Sequence, residues 1–105
     1  MKLYPFSIQK HAHDIEFRKN RVFCQIHDVR CGETLMSEWE YQQLERLYDE
    51  LAALLDAVLY NSRDGKVVYL TGSQIGLAKE TVIWARNVRA NSLIEAGKTQ
   101  YLEYL

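Results

Sequence analysis

The side chains best suited to bind a metal or attack as nucleophiles gather in the first third of the chain: His11, His13, Cys24, His27 and Cys31. Zinc takes four nitrogen or sulfur ligands in a tetrahedron, and Cys24-x-x-His27-x-x-x-Cys31 has ligand-like spacing. The apolar residues around it alternate, however, which reads as extended chain. On a strand Cys24 points to one face while His27 and Cys31 point to the other. No paired C-x-x-C knuckle accompanies them. The expectation is therefore a small core residue at Cys24, surface histidines, and neither a metal nor another cofactor. A Cys31–His27 nucleophilic pair, with Asp28 next in sequence, would need an oxyanion hole and exclusion of water. The pattern supplies neither, so no enzyme is expected.

Three further patterns carry candidate chemistry. Glu38, Glu40, Glu45, Asp49, Glu50 and Asp56 face a single cation, Arg46, between residues 37 and 60. Like charges at helical spacing are usually a solvated face. The same face could dock a cation or imitate nucleic acid through Glu45, Asp49 and Asp56. Thr71-Gly72-Ser73-Gln74-Ile75-Gly76 joins a strand to a helix, as phosphate loops do, but it lacks the Lys-Ser/Thr ending and the G-x-G-x-x-G spacing. Residues 75–82, continuing through Trp84, resemble the turn and recognition helix of a helix-turn-helix. Lys79, Arg86, Asn87 and Arg89 would then meet bases or phosphates. The pattern departs from that motif before Gly76, where the chain from Leu70 is too short for a supporting first helix.

The elements that must position these groups differ along the chain. Tyr4, Phe6 and Ile8 alternate on one face of an extended segment; Ile15 with Phe17, then Val22, Cys24 and Ile26, alternate again around Lys19-Asn20. That pattern predicts a β-hairpin over residues 14–30, ended by Cys31-Gly32, with a short strand at Thr34-Leu35-Met36. From Ser37 the period changes. Leu44, Leu47, Leu51, Leu54 and Val58 recur every three or four residues behind a Ser37/Glu40 capping box, which predicts a helix over 37–60 that exits through Asn61 to Gly65. Lys66 to Leu70 reads as a strand. Thr71 and Gln74 then cap a helix over 73–95, with Ala96-Gly97 as its stop. The fold class expected is α+β: a small antiparallel sheet, made of the N-terminal hairpin plus the later strand, packed against two α-helices.

With 105 residues, 48% hydrophobic and 26% charged, the chain has the composition of one globular domain over residues 1–105. A net charge of −1 argues against broad phosphate contact, so nucleic acid ranks below protein as a partner. No apolar run spans a bilayer and no leader pattern opens the chain, so a cytoplasmic location with no membrane partner is expected. The 37–60 stripe, widened by Trp39 and Tyr41, exceeds what one small sheet can cover. Surplus apolar width is closed by a second copy or a partner. The reading is a non-enzymatic interaction or regulatory module, a homodimer or a complex, with Trp39, Tyr48, Leu55 and Leu59 as contacts. Packing of the apolar tail, Tyr101 to Leu105, is the intramolecular way to cover that stripe. The alternative function is a helix-turn-helix-like DNA-binding protein using residues 77–91, with Lys79, Arg86, Asn87 and Arg89 at the interface.

Overall fold

Residues 12–30 contain neither glycine nor proline, and they form one helix, α1 (Ala12–Arg30), instead of the hairpin expected over 14–30. The reason lies in two periods that share the same apolar residues. Val22, Cys24 and Ile26 alternate, but Ile15, Val22, Ile26 and Val29 also follow the helical spacing, and a stretch this long favours the helix. Ile15, Val22 and Ile26 are buried, whereas Cys24 is exposed. Lys19-Asn20, expected as a turn, lies in the middle of the helix; Asn20 is followed by Arg21 and not by the glycine that a tight hairpin turn favours. The helix ends where Gly32 adopts φ 78°. There the Glu33 N–H donates to the Asp28 carbonyl at 2.9 Å and the Gly32 N–H to the Val29 carbonyl at 3.1 Å, a Schellman closure that needs a left-handed residue.

The computed structural model describes residues 2–7, 11–61 and 67–105. Ile8 of the first expected strand, Lys66 of the second, and residues 62–65 of the expected helix exit lie outside the described residues. Residues 34–36, expected as a strand, run without regular structure. The second helix, α2 (Glu38–Asn61), agrees with expectation to within a residue, and the Ser37 hydroxyl accepts the Glu40 N–H at 3.2 Å. α1 and α2 form an antiparallel pair: Arg30 lies by Tyr41, and the Phe23 ring packs 6.0 Å from Tyr48 further along. Arg30 Nε donates to the Tyr41 hydroxyl at 2.7 Å. That bond, more than the nearby Glu45 carboxylate, raises the Arg30 pKa above its ordinary value.

β1 (Leu3–Ser7) and β2 (Val67–Thr71) pair antiparallel, with Tyr4 opposite Leu70 and Phe6 opposite Val68. Val68 and Leu70 face the core, while Leu3, Val67 and Tyr69 stay exposed on the other face. Both strands are edges, a position that tolerates Pro5. β2 leads directly into α3 (Gly72–Glu95), where Thr71 and Gln74 form the expected reciprocal cap. α3 runs antiparallel to α1, as the pairs Arg18–Thr81, Phe17–Trp84 and Asp14–Arg89 record. It stops at Gly97, φ 71°, with the Lys98 N–H donating to the Leu93 carbonyl at 2.8 Å. A 3₁₀ helix (Thr99–Tyr104) then packs on α3.

The α+β class holds, with a two-stranded sheet and, among the described residues, three α-helices and one 3₁₀ helix. The core joins Ile15, Val22 and Ile26 of α1 to Leu51, Leu54, Leu55 and Val58 of α2, to Val68 and Leu70 of β2, and to Ala78 of α3. α1 therefore lies between α2 and α3, and it does the covering that the sequence left to a partner or to the tail. The molecule is flat, 41 × 39 × 19 Å. Among the described residues no helix is long and apolar enough to cross a membrane.

Candidate functional site

The helical form of residues 12–30 changes the geometry of the metal-ligand set. Cys24, His27 and Cys31 are spaced by three and four residues, so they share one face of α1 and do not divide between two. His27 Nε2 lies 3.5 Å from Cys31 Sγ, and both side chains are exposed. Cys31 caps the C-terminal end of the helix. Among the described residues no group of three His, Cys, Asp or Glu side chains is placed to hold a metal ion. Cys24, expected in the core, is a surface thiol.

The four α2 positions proposed as contacts separate. Leu55 is 8% exposed and belongs to the core, so it cannot meet a partner. Tyr48 is half-buried against Phe23, with Lys19 Nζ 5.9 Å from its ring centre. Trp39 and Leu59, near the two ends of the helix, are 69% and 58% exposed. Leu35 and Trp39 sit four residues apart at the α1–α2 corner, and Leu35 is 95% exposed.

On α3, Lys79, Arg86 and Asn87 share the exposed face with Ile83 and Ile94. Arg89 does not join them as a free cation: its Nη1 lies 2.9 Å from Asp14 Oδ1. α3 is entered from β2 and not from a supporting helix, so the helix-turn-helix arrangement is not formed. The Thr71–Gly76 stretch is likewise committed to its own cap. The Gln74 N–H donates to Thr71 Oγ1 at 3.2 Å, and Gln74 Oε1 accepts the Thr71 N–H at 3.1 Å, which occupies a donor a phosphate would need.

The most organised polar chemistry lies where α1 meets α3. Asp14 is 5% exposed; one carboxylate oxygen takes Arg89, and the other lies 3.6 Å from His11 Nδ1. That last distance suits an ion pair and is too long for a hydrogen bond. His11 Nδ1 is buried and makes no hydrogen bond. One turn further along, Arg18 Nη1 donates to the fully buried Thr81 hydroxyl at 3.0 Å, and Nη2 to Glu80 at 3.0 Å. The Arg18 guanidinium also stands 5.7 Å from the Trp84 ring centre. The Arg18 contacts satisfy a buried hydroxyl that would otherwise be costly. A cavity of about 280 Å³ opens beside the first cluster, lined by His11, Asp14, Val82, Arg86, Arg89 and Leu105.

Sequence reasoning missed this seam because its partners are 75 residues apart and no motif links them. One signal was legible: on a helical reading, Asp14 sits beside Ile15 on the buried side of the stripe, and a carboxylate there needs a partner. No family model, no curated protein and no solved structure matches the chain.

Proposed function

We propose that this chain is a small non-enzymatic interaction module that closes its exposed apolar surface against another protein, with a second copy as the simplest partner. One observation carries the reading. The chain exposes 7638 Å², whereas a folded monomer of its 12.3 kDa mass exposes about 6100 Å² by the usual scaling. The excess, roughly 1500 Å², is more than the ~800 Å² that each partner contributes to an ordinary stable interface. The radius of gyration, 15.6 Å, likewise exceeds the ~13 Å usual for about 100 residues. Large apolar side chains sit on that surplus surface, among them Leu35, Trp39, Tyr69 and Ile83.

The contact set differs from the one read off the α2 stripe. Leu55 is withdrawn, Tyr48 contributes only its outer edge, and Leu35 joins Trp39 at the α1–α2 corner. DNA binding has weaker support. With Arg89 held by Asp14, Lys79 and Arg86 are the cations left on the exposed α3 face. That is far fewer than the roughly 6–10 phosphate contacts of a salt-sensitive binder.

Light scattering across a wide concentration range tests self-association, and capture from nuclease-treated lysate tests a different protein partner. The expected result is a dimer, or one stoichiometric protein, lost when Trp39→Ser or Ile83→Ser is introduced with the helical circular dichroism unchanged. A monomer at every concentration, with no stoichiometric protein captured, overturns the reading.

A further inference from the structure

The seam between α1 and α3 opens into two adjoining hollows, one lined mostly by charged side chains and one mostly by apolar ones, and that contrast points to a ligand. In the charged hollow Asp14 holds Arg89 at 2.9 Å and stands 3.6 Å from His11 Nδ1. Arg89 carries five N–H donors in a planar fork, and Asp14 takes one of them. Arg86 lines the same cavity with no ion pair among the described residues. His11 Nδ1 is buried and lacks a hydrogen bond. Among the side chains lining this cavity two guanidinium groups face one carboxylate, and Lys98 lines the adjoining hollow, so the side-chain charge of the site is positive. Unused donors, a buried nitrogen without a hydrogen bond and that positive side-chain charge fit an added anionic group.

A second hollow of about 390 Å³ shares Arg89 and Leu105 with the first and is walled mainly by Phe17, Val88 and Leu93, with Lys98 also on its lining. Because Arg89 and Leu105 line both hollows, the two form one trench with a charged head and a greasy body. Each falls near or within the roughly 300–1,000 Å³ of small-molecule sites, which are mainly apolar with a few placed polar groups.

We infer that the trench binds a small amphipathic monocarboxylate, its head forked between Arg86 and Arg89 beside His11 and its apolar body along Phe17, Val88 and Leu93. The planar guanidinium fork matches carboxylate geometry, and the apolar wall of Phe17, Val88 and Leu93 suits an alkyl body that a free phosphate lacks. Asp14 acts as a positioning residue: it fixes the Arg89 plane and supplies no contact to the ligand. This site borders the exposed α3 face that carries Ile83, with Arg86 between them, but small-molecule affinity and self-association are read by different measurements, so the two proposals fail separately.

Octanoate is the probe, followed by calorimetry and by the fluorescence of Trp84, whose ring lies 5.2 Å from Phe17. Saturable binding at one equivalent is expected, with octanol, acetate and inorganic phosphate each weaker by about tenfold or more. Arg86→Ala removes one charge-assisted contact and should cost about tenfold in affinity. Its melting temperature should not change, because Arg86 is exposed and unpaired among the described residues. Ser92→Trp, an exposed position lining the apolar hollow, should block octanoate while leaving the fold intact. Octanol binding as tightly as octanoate, or an unchanged affinity in Arg86→Ala, overturns the assignment. So does tighter inorganic phosphate, or a short peptide whose C-terminal carboxylate displaces octanoate and binds more strongly.

Discussion

Asn20 discriminates between the helix and the hairpin that the same residues allow. It is exposed, eight residues inside the start of α1 and ten before its end, and it makes no side-chain hydrogen bond among the described residues. Its contribution is then almost purely backbone propensity. In a helix interior alanine is better than asparagine by about 0.5 kcal/mol, glycine is worse by a few tenths, and proline costs about 3 kcal/mol. Proline also removes the N–H that bonds back to the Glu16 carbonyl and crowds that carbonyl. Since α1 supplies Ile15, Val22 and Ile26 to the core, the break propagates into the packing. Against a total stability of ~5–15 kcal/mol, Asn20→Pro should lower the melting temperature by ~12–24 °C and Asn20→Ala should raise it by ~2–4 °C. Urea titrations followed by circular dichroism give the ranking Ala > Asn > Gly > Pro. A hairpin turn at Lys19-Asn20 inverts the first part of that order, because glycine favours the turn and alanine does not. Asn20→Gly more stable than Asn20→Ala would refute the helical reading.

Three further measurements probe the rest of the fold. Leu54 is fully buried in α2, so Leu54→Ala should cost about 3–5 kcal/mol through lost burial and a residual cavity, read from the urea midpoint. Thr71→Ala removes the side-chain half of the α3 cap and should cost about 1 kcal/mol, with little added by Gln74→Ala in the same chain because the two bonds form one unit. Asp14→Ala should cost about 1–3 kcal/mol, and a double-mutant cycle with Arg89→Ala should show a favourable coupling of about 1 kcal/mol; strict additivity would mean that the 2.9 Å pair contributes nothing. That coupling is modest because the Arg89 side chain is 45% exposed and reaches water when its partner is lost.

The interaction reading and the shape of the molecule share one physical origin. A chain of this size has little apolar side-chain volume to distribute, and here α1 spends its inner faces on α2 and α3 at once. The result is a plate and not a ball, with the outer sheet face and the outer face of α3 left uncovered. Ile83 and Ile94 sit on the far side of α3 from Ala78 and Ala85, so that helix is apolar on two sides. A helix of that kind ordinarily has neighbours on both.

What could be read from the sequence was local. The 3.6-residue stripe of Leu44, Leu47, Leu51, Leu54 and Val58 located α2, because twenty-four residues of one period leave no competing pattern. The Thr71/Gln74 cap and the Gly97 stop bounded α3, because capping bonds join residues within five positions of each other. The β-rich run from Lys66 to Leu70 located β2, but four apolar residues in a row did not say which face is buried.

The first helix was not legible in the same way. Three apolar residues at alternate positions satisfy a strand, and a helix stripe running through Ile15, Val22 and Ile26 satisfies the other period equally well; the length of the stretch and its lack of glycine tip the choice, and packing in one core with Leu51, Leu54 and Val58 fixes it. That choice moved Cys24 to the surface, Leu55 into the core and Arg89 onto Asp14. The seam itself was beyond any local rule, since a carboxylate and a guanidinium 75 residues apart meet only after two helices have been laid antiparallel. Periodicity and capping are short-range physics and survive in the sequence; which face of α1 is buried, and which charges that burial brings together, is decided by the tertiary fold.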